Sequence, residues 1–211
     1  MAVSVHELCE EFGLSYATPA KWGEKIKAKF NGIYIISLTD DPHSKIAQNI
    51  SLQIDSETFE RWRKEATELE IEGKKVRDIE EVTKYLKQFW KPDENILYIG
   101  ESTSKTNPIE KRINQFYQHK VGQKGPHSGG YWLKLISCLS KTHIFFAQSN
   151  YPRETEFKLL MKFVEKHEGR SFYEIDNFSS CFPFANLKVD VLKEHSIKKP
   201  TNNNKKVKNE R

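Results

Sequence analysis

Two short apolar runs constrain this chain more than any other feature. Gly32-Ile33-Tyr34-Ile35-Ile36-Ser37-Leu38 and Ile96-Leu97-Tyr98-Ile99-Gly100 are rich in isoleucine and too short for helices, so both read as buried strands. Asp40-Asp41-Pro42-His43 is a turn cluster that ends the first run. More than sixty residues separate the first tyrosine from the second. If the two strands pair, the stretch from about Asp40 to Asn95 must be an insertion packed against their sheet. Closing so long a loop costs little more than closing a short one.

The insertion carries its own pattern. Ile50, Leu52 and Ile54 alternate, which predicts a further strand. Ser56 is placed to cap a helix with Phe59, Trp62, Ala66 and Leu69 on one face. A second helix carries Ile79, Val82, Leu86 and Phe89 and ends at Lys91-Pro92. Before the first strand, Ser4 to Phe30 reads as a helical extension. Val5, Leu8, Cys9 and Phe12 recur at helical spacing, and Gly13 stops that helix. Ser15 or Thr18-Pro19 then starts a second helix running to about Lys29, in a weak helix-turn-helix pattern.

Beyond the second run, Pro108 opens a helix with Ile109, Ile113, Phe116 and Tyr117 on its buried side. A polar glycine-rich loop spans Gly122 to Gly130. Thr142 to Ala147 is a strand. Glu154 to Lys166 is a helix with Phe157, Leu160 and Val164 facing inward, closed by Gly169. These features divide the chain into an extension (1–30), a core (31–192) interrupted at about 40–95, and a tail (193–211).

Net charge is +5, and the tail concentrates it in Lys198, Lys199, Lys205, Lys206 and Lys208, with Arg211 at the end. This predicts either a solvated end or a loose phosphate-binding arm. Cys9, Cys138 and Cys181 are odd in number and contain no CxxC pair, so a zinc knuckle is disfavoured and reduced, buried thiols are expected. No apolar run approaches the roughly 18 residues of a membrane helix, and the first residues lack a signal-peptide layout. An intracellular, cytoplasmic protein is the resulting expectation.

Taken singly, the polar residues near these elements are ordinary. Tyr34 would be packing, Arg112 a solvated charge, and Glu156 a partner for a helix dipole. Their order is not ordinary. Gly32-Ile33-Tyr34 and Tyr98-Ile99-Gly100 are followed by a helix bearing Arg112, a strand, and a helix bearing Glu156-Phe157-Lys158-Leu159-Leu160. Pro183-Phe184-Ala185-Asn186 comes last. This sequence of motifs resembles the GIY-YIG nuclease family from about Gly32 to Asn186, leaving out the insertion.

The resemblance implies an α+β fold: a small antiparallel sheet with the two tripeptides on neighbouring strands, flanked by helices. It implies a metal-dependent endonuclease acting on DNA, most similar to restriction or defence enzymes, with repair and mobile-element nucleases as the alternative. In the roles it suggests, Tyr34 is the base or orients the attacking water, and Arg112 clamps the phosphate. Tyr98 and His119 donate hydrogen bonds, while Asn186 braces the site. Glu156 holds one divalent ion, Mg²⁺ or alternatively Mn²⁺. Arg112 and the ion would favour the Tyr34 phenolate. These side chains are expected to converge on one solvent-open pocket.

Two departures stand out. The tripeptides usually lie about ten residues apart in that family. The position four residues after the arginine, often histidine there, is Phe116, which leaves His119 and His127 as candidates. Glu154 competes with Glu156, but two helical residues point about 200° apart, so only one can face the site. Glu101 and Glu110 read as solvated. Cutting both strands with one site implies a homodimer or successive nicks. Two other readings stay open: a non-catalytic nucleic-acid-binding module, and an unrelated α/β protein.

Overall fold

The computed structural model describes residues 1–65, 70–71, 74–76, 78–120, 130–175, 181–186, 188–189 and 192–193. It is an α+β fold with five α-helices and a four-stranded antiparallel sheet among these residues. The sheet order is β1 (Ala20–Lys21), β6 (His143–Gln148), β2 (Gly32–Ser37), β5 (Ile96–Ser102). The helices are α1 (Val5–Glu11), α2 (Ser56–Glu65), α3 (Ile79–Leu86), α4 (Ile109–Gln118) and α5 (Pro152–Glu168). Two short hairpins, β3–β4 (Glu70–Ile71 with Lys74–Lys75) and β7–β8 (Lys188–Val189 with Leu192–Lys193), stand apart from the sheet.

The central strand, β2, is buried at all six positions. Its continuous apolar run follows from this: both faces are covered, so neither needs polar residues. On one face Ile33, Ile35, Ile99, Phe145 and Ala147 pack with α1 and α5. On the other, Tyr34, Ile36, Ile144 and Phe146 pack with α4 and with Phe59, Trp62, Val82 and Leu86 of the insertion helices. Pairing is regular from Gly32↔Ser102 to Ile36↔Tyr98 and then skips to Ser37↔Ile96. Leu97 is the extra residue of this bulge, which explains how Leu97 and Tyr98, adjacent in sequence, join the same core cluster.

Three local expectations are corrected. The second N-terminal helix is absent. Tyr16 bridges to Ala147, Ala20–Lys21 pairs with β6, and residues 24–30 form no helix. The extension therefore completes the sheet, and its helix-turn-helix pattern does not form. The alternation at Ile50, Leu52 and Ile54 produces only an isolated bridge, Ile54↔Ile136, because the segment docks on the 130s by single bonds such as Asp55 N–H to the Leu135 carbonyl. The cap of α2 is Asp55, whose carboxylate accepts the Thr58 N–H at 2.7 Å, rather than Ser56, which already lies inside the helix. Ala66 and Leu69 fall outside the described residues. The three cysteines are free and buried, as composition suggested.

Candidate active site

Tyr34 and Tyr98 sit on paired strands, with Tyr34 opposite Gly100 and Ile36 opposite Tyr98. Diagonal neighbours on one sheet face lie within reach of aromatic rings, and here the ring centroids are 5.8 Å apart. Glycine makes this possible. A Cβ on Gly100 would stand 2.6 Å from both tyrosine rings and 2.7 Å from the Tyr34 hydroxyl. Gly130, at φ +63°, closes over Tyr98 from the other side; a Cβ there would meet its ring at 2.8 Å. Phe116 completes the cage edge-on at 5.8 Å.

Arg112 reaches this pair from the first turns of α4. The start of that helix is pinned to the chain ahead of β2, because the Ile109 and Glu110 N–H groups donate to the carbonyls of Phe30 and Ala28 at 3.0 and 3.1 Å. These acceptors satisfy donors that a helix N-terminus leaves without intrahelical partners. They also fix Arg112 relative to Tyr34, which lies only a few residues beyond Phe30. The Arg112 guanidinium and the Tyr98 hydroxyl both hydrogen-bond to Tyr34. The phenol oxygen thereby accepts from the guanidinium, and either hydroxyl of the tyrosine pair can donate to the other.

Glu156 arrives from the first turns of α5, which packs on the opposite face against β5. It is half-buried, and its charge acts on both tyrosines. Glu154 is exposed and pairs with Lys158 at 2.6 Å, and it lines the same cavity as Glu156. Glu156 lines a cavity of about 430 Å³ together with Thr103, Tyr151, Arg153 and Phe157. Of the four candidate side chains, Glu156 alone is among its lining residues.

The structure thus brings together Tyr34, Tyr98, Arg112 and Glu156. The expectation of a solvent-open pocket is corrected for the tyrosines. Tyr34 is fully buried and Tyr98 is 6% exposed, because the insertion and Gly130 cover the sheet face on which they lie. Protonation follows burial. Desolvation pushes the Tyr34 phenol up, Arg112 pulls it down, Glu156 pushes it up again, and the two hydrogen bonds pull down by less. The balance lies above the ordinary phenol value, so Arg112 by itself does not outweigh burial. Tyr98 is also raised, by burial and then by Tyr34 and Glu156.

Asn186 braces this arrangement from outside. β5 is an edge strand, and Ile99 turns its N–H and C=O away from β2. The buried Asn186 amide answers both: Oδ1 accepts the Ile99 N–H at 2.9 Å, and Nδ2 donates to the Ile99 carbonyl at 2.8 Å. The Ala185 N–H adds a bond to the Leu97 carbonyl at 2.8 Å. Asn186 therefore holds the residue between Tyr98 and Gly100.

His119 is placed differently from its expected position on the Arg112 face of α4. It lies just past the helix end with an extended backbone, and its side chain is buried. At 1.5 Å rise per residue it is roughly 10 Å along the axis from Arg112. Its carbonyl accepts the Lys134 ammonium at 2.6 Å, alongside that of Tyr117 at 2.9 Å, so this end of α4 has a lysine cap. His127 and the tail lysines, Lys198, Lys199, Lys205, Lys206 and Lys208, lie outside the described residues. Glu101, expected to be solvated, is only 20% exposed and faces Arg153 at 3.9 Å, because β5 turns it toward the start of α5.

Sequence reasoning did not single out Arg153 and Thr103 at the cavity, nor Gly130 above Tyr98. Gly130 carried a readable signal in the glycine-rich loop. Arg153 and Thr103 had none.

Glu156, one of two glutamates at an open cavity, suits a hard divalent ion that keeps most of its water. Among the described residues no cluster of three or more metal-ligating side chains occurs, so a multi-ligand cage is not formed by them. No helix among them is long and apolar enough to cross a membrane. Comparison with family models, with curated proteins and with solved structures returns no match for the chain.

Proposed function

We propose that this chain is a phosphodiester-cleaving endonuclease of the GIY-YIG type, acting on DNA. The observation that supports this most is the convergence of Arg112 and Glu156, from two helices on opposite faces of the sheet, onto a tyrosine pair borne by neighbouring strands. A phosphodiester is anionic and resists a nucleophile. Cleavage needs a group that binds its oxygens, one that positions water, and one that meets charge on the leaving oxygen.

Arg112 suits the first task. Its guanidinium carries five donors, so it can keep Tyr34 and still grip two phosphate oxygens. Tyr34 suits the second as a neutral hydroxyl. Arg112 donates to its oxygen, and if Tyr98 donates to it as well, its own proton would direct a water or a phosphate oxygen. In this reading it orients the nucleophile rather than storing a negative charge. Glu156 would hold one Mg²⁺ or Mn²⁺, which would supply charge neutralisation at the leaving oxygen. Asn186 and Gly100 keep the tyrosines in register.

Within this class, a restriction or defence enzyme is the favoured role. The inserted helices α2 and α3 and the added strand β1 are the parts that would confer specificity. A repair or mobile-element nuclease is the alternative, and a homodimer would allow both strands to be cut together. One observation favours a second reading, a nucleic-acid-binding module without catalysis: both phenols are shut away from solvent. A panel of duplex, branched and RNA substrates, incubated with Mg²⁺ and with chelator, separates the two. The nuclease reading expects metal-dependent nicking of at least one substrate. Binding of the panel without any cleavage would favour the second.

A further inference from the structure

The stretch Lys25-Ile26-Lys27-Ala28-Lys29-Phe30 is read above as part of a helix, but its structure follows a period of two. Lys25, Lys27 and Lys29 are exposed, Ile26 and Ala28 are buried, and Phe30 is half-buried. The apolar residues anchor the segment to the core around Tyr34. Its Ala28 and Phe30 carbonyls anchor it to the start of α4. The lysines are therefore held in a row on a fixed backbone. They line a cavity of about 820 Å³ between this segment and α4, which Lys111 enters from the helix side.

Four lysines face this groove against two glutamates, Glu24 and Glu110. One of those carboxylates is engaged locally, Glu24 accepting the Lys21 N–H at 2.9 Å. Among the described residues Lys25, Lys27 and Lys29 form no ion pair, while eight lysine, arginine or histidine residues elsewhere, among them Lys45, Lys158, Lys162 and Lys166, are drawn into pairs with glutamates. Alternate residues of an extended chain stand about 6–7 Å apart.

The groove also adjoins the candidate site. Lys111 precedes Arg112, and Asn31, one residue past Phe30, donates to the Thr103 carbonyl at 3.1 Å; Thr103 lines the Glu156 cavity.

We propose that this lysine groove binds the phosphates of one nucleic-acid strand and leads that strand to Arg112 and Glu156. The proposal rests on the nuclease reading for its ligand class, but its test does not depend on cleavage. Binding is measured on the full chain carrying Glu156→Gln, with a duplex DNA oligonucleotide and its single strand, over a series of salt concentrations. The comparison is Lys25→Ala/Lys27→Ala/Lys29→Ala against a control of equal charge change, Lys84→Ala/Lys87→Ala/Lys105→Ala, all at exposed positions. Thermal melting of both confirms that they fold.

Counterion release predicts that the groove variant loses about 2–3 units from the slope of log K against log salt on duplex, and about 2 on the single strand. The control should lose less than about one unit. An unchanged slope, an equal loss in the control, or no binding of either DNA by the parent chain would overturn the proposal. If the slope falls as expected but the native chain never cleaves, the groove stands and the nuclease reading fails. If cleavage occurs with the slope unchanged, the reverse holds.

Discussion

The strand-borne and helix-borne halves of the candidate site are built by opposite rules. Tyr34 and Tyr98 are core residues. They lie on the two most buried strands, share a hydrophobic cluster with the insertion, and are packed so closely that glycine is needed beside them. Arg112 and Glu156 are half-buried on helix starts, and Glu156 opens onto a cavity. The difference suggests a division of labour. The tyrosines set position at the cost of being hard to ionise, and the charged pair keeps access to solvent and substrate. Altering the first half should therefore unfold the protein before it alters chemistry, and altering the second should do the reverse.

The largest expected effect on stability is at Tyr98. Truncating a buried aromatic residue leaves a cavity and typically costs about 3–5 kcal/mol, so Tyr98→Ala should lower the urea midpoint sharply. Glu156→Gln should shift it by less than about 1 kcal/mol. Comparable losses for the two would erase the distinction drawn here.

Asn186→Ala comes next. It strands the buried Ile99 N–H and C=O, at about 2–3 kcal/mol. It should also lower turnover, since the strand carrying Tyr98 loses its outer support. Gly100→Ala tests the same half by addition rather than removal. The new methyl must displace two rings, which costs about 1–3 kcal/mol. A Gly100→Ala protein as stable and active as the parent would mean that the tyrosine pair tolerates slack.

The smallest effect lies away from the site and depends on pH. Glu7 caps α1 and joins Lys45 at 2.7 Å and Lys166 at 3.4 Å, tying the N-terminal helix to the insertion and to α5. Partial burial raises its carboxyl. The Lys45 hydrogen bond, the Ser4 N–H and the charge of Lys166 together outweigh that and bring it from 4.5 down to about 2. A carboxyl with a depressed folded value stabilises above its unfolded value and loses that contribution as pH falls through the folded one. Glu7→Gln should therefore cost about 1 kcal/mol at neutral pH and progressively less between about pH 4.5 and pH 2, as chemical melts at several pH values would show.

Sequence reading reached much of this architecture because the relevant signals are local. Glycine beside tyrosine, an isoleucine run, and the 3–4 spacing of Ile109, Ile113 and Phe116 each point to an element directly. It did not separate Glu156 from Glu154 as helix rotation suggested, since both line the cavity at the start of α5. It failed from Ser15 to Lys29 because Ser15 and Thr18-Pro19 read as helix starts from their capping chemistry. Lys25 to Phe30 alternates instead, and what fixes it in place is its bonding to α4 and the packing of its apolar face. It missed the burial of Tyr34 for a related reason. The order of residues announces an arginine neighbour but not the depth of burial, and the depth depends on an insertion of about 56 residues, Asp40 to Asn95.

The central claim is that Arg112, Glu156 and the tyrosine pair act together on one phosphate. Single-turnover cleavage of a DNA substrate by the native chain and by Glu156→Gln, with binding measured on the same substrate, tests it most directly. The account predicts metal-dependent nicking by the native chain, a loss of about a hundredfold or more in Glu156→Gln, and binding within about twofold of native. A native chain that binds but never nicks, or a Glu156→Gln chain that cleaves as fast as the native one, would contradict it.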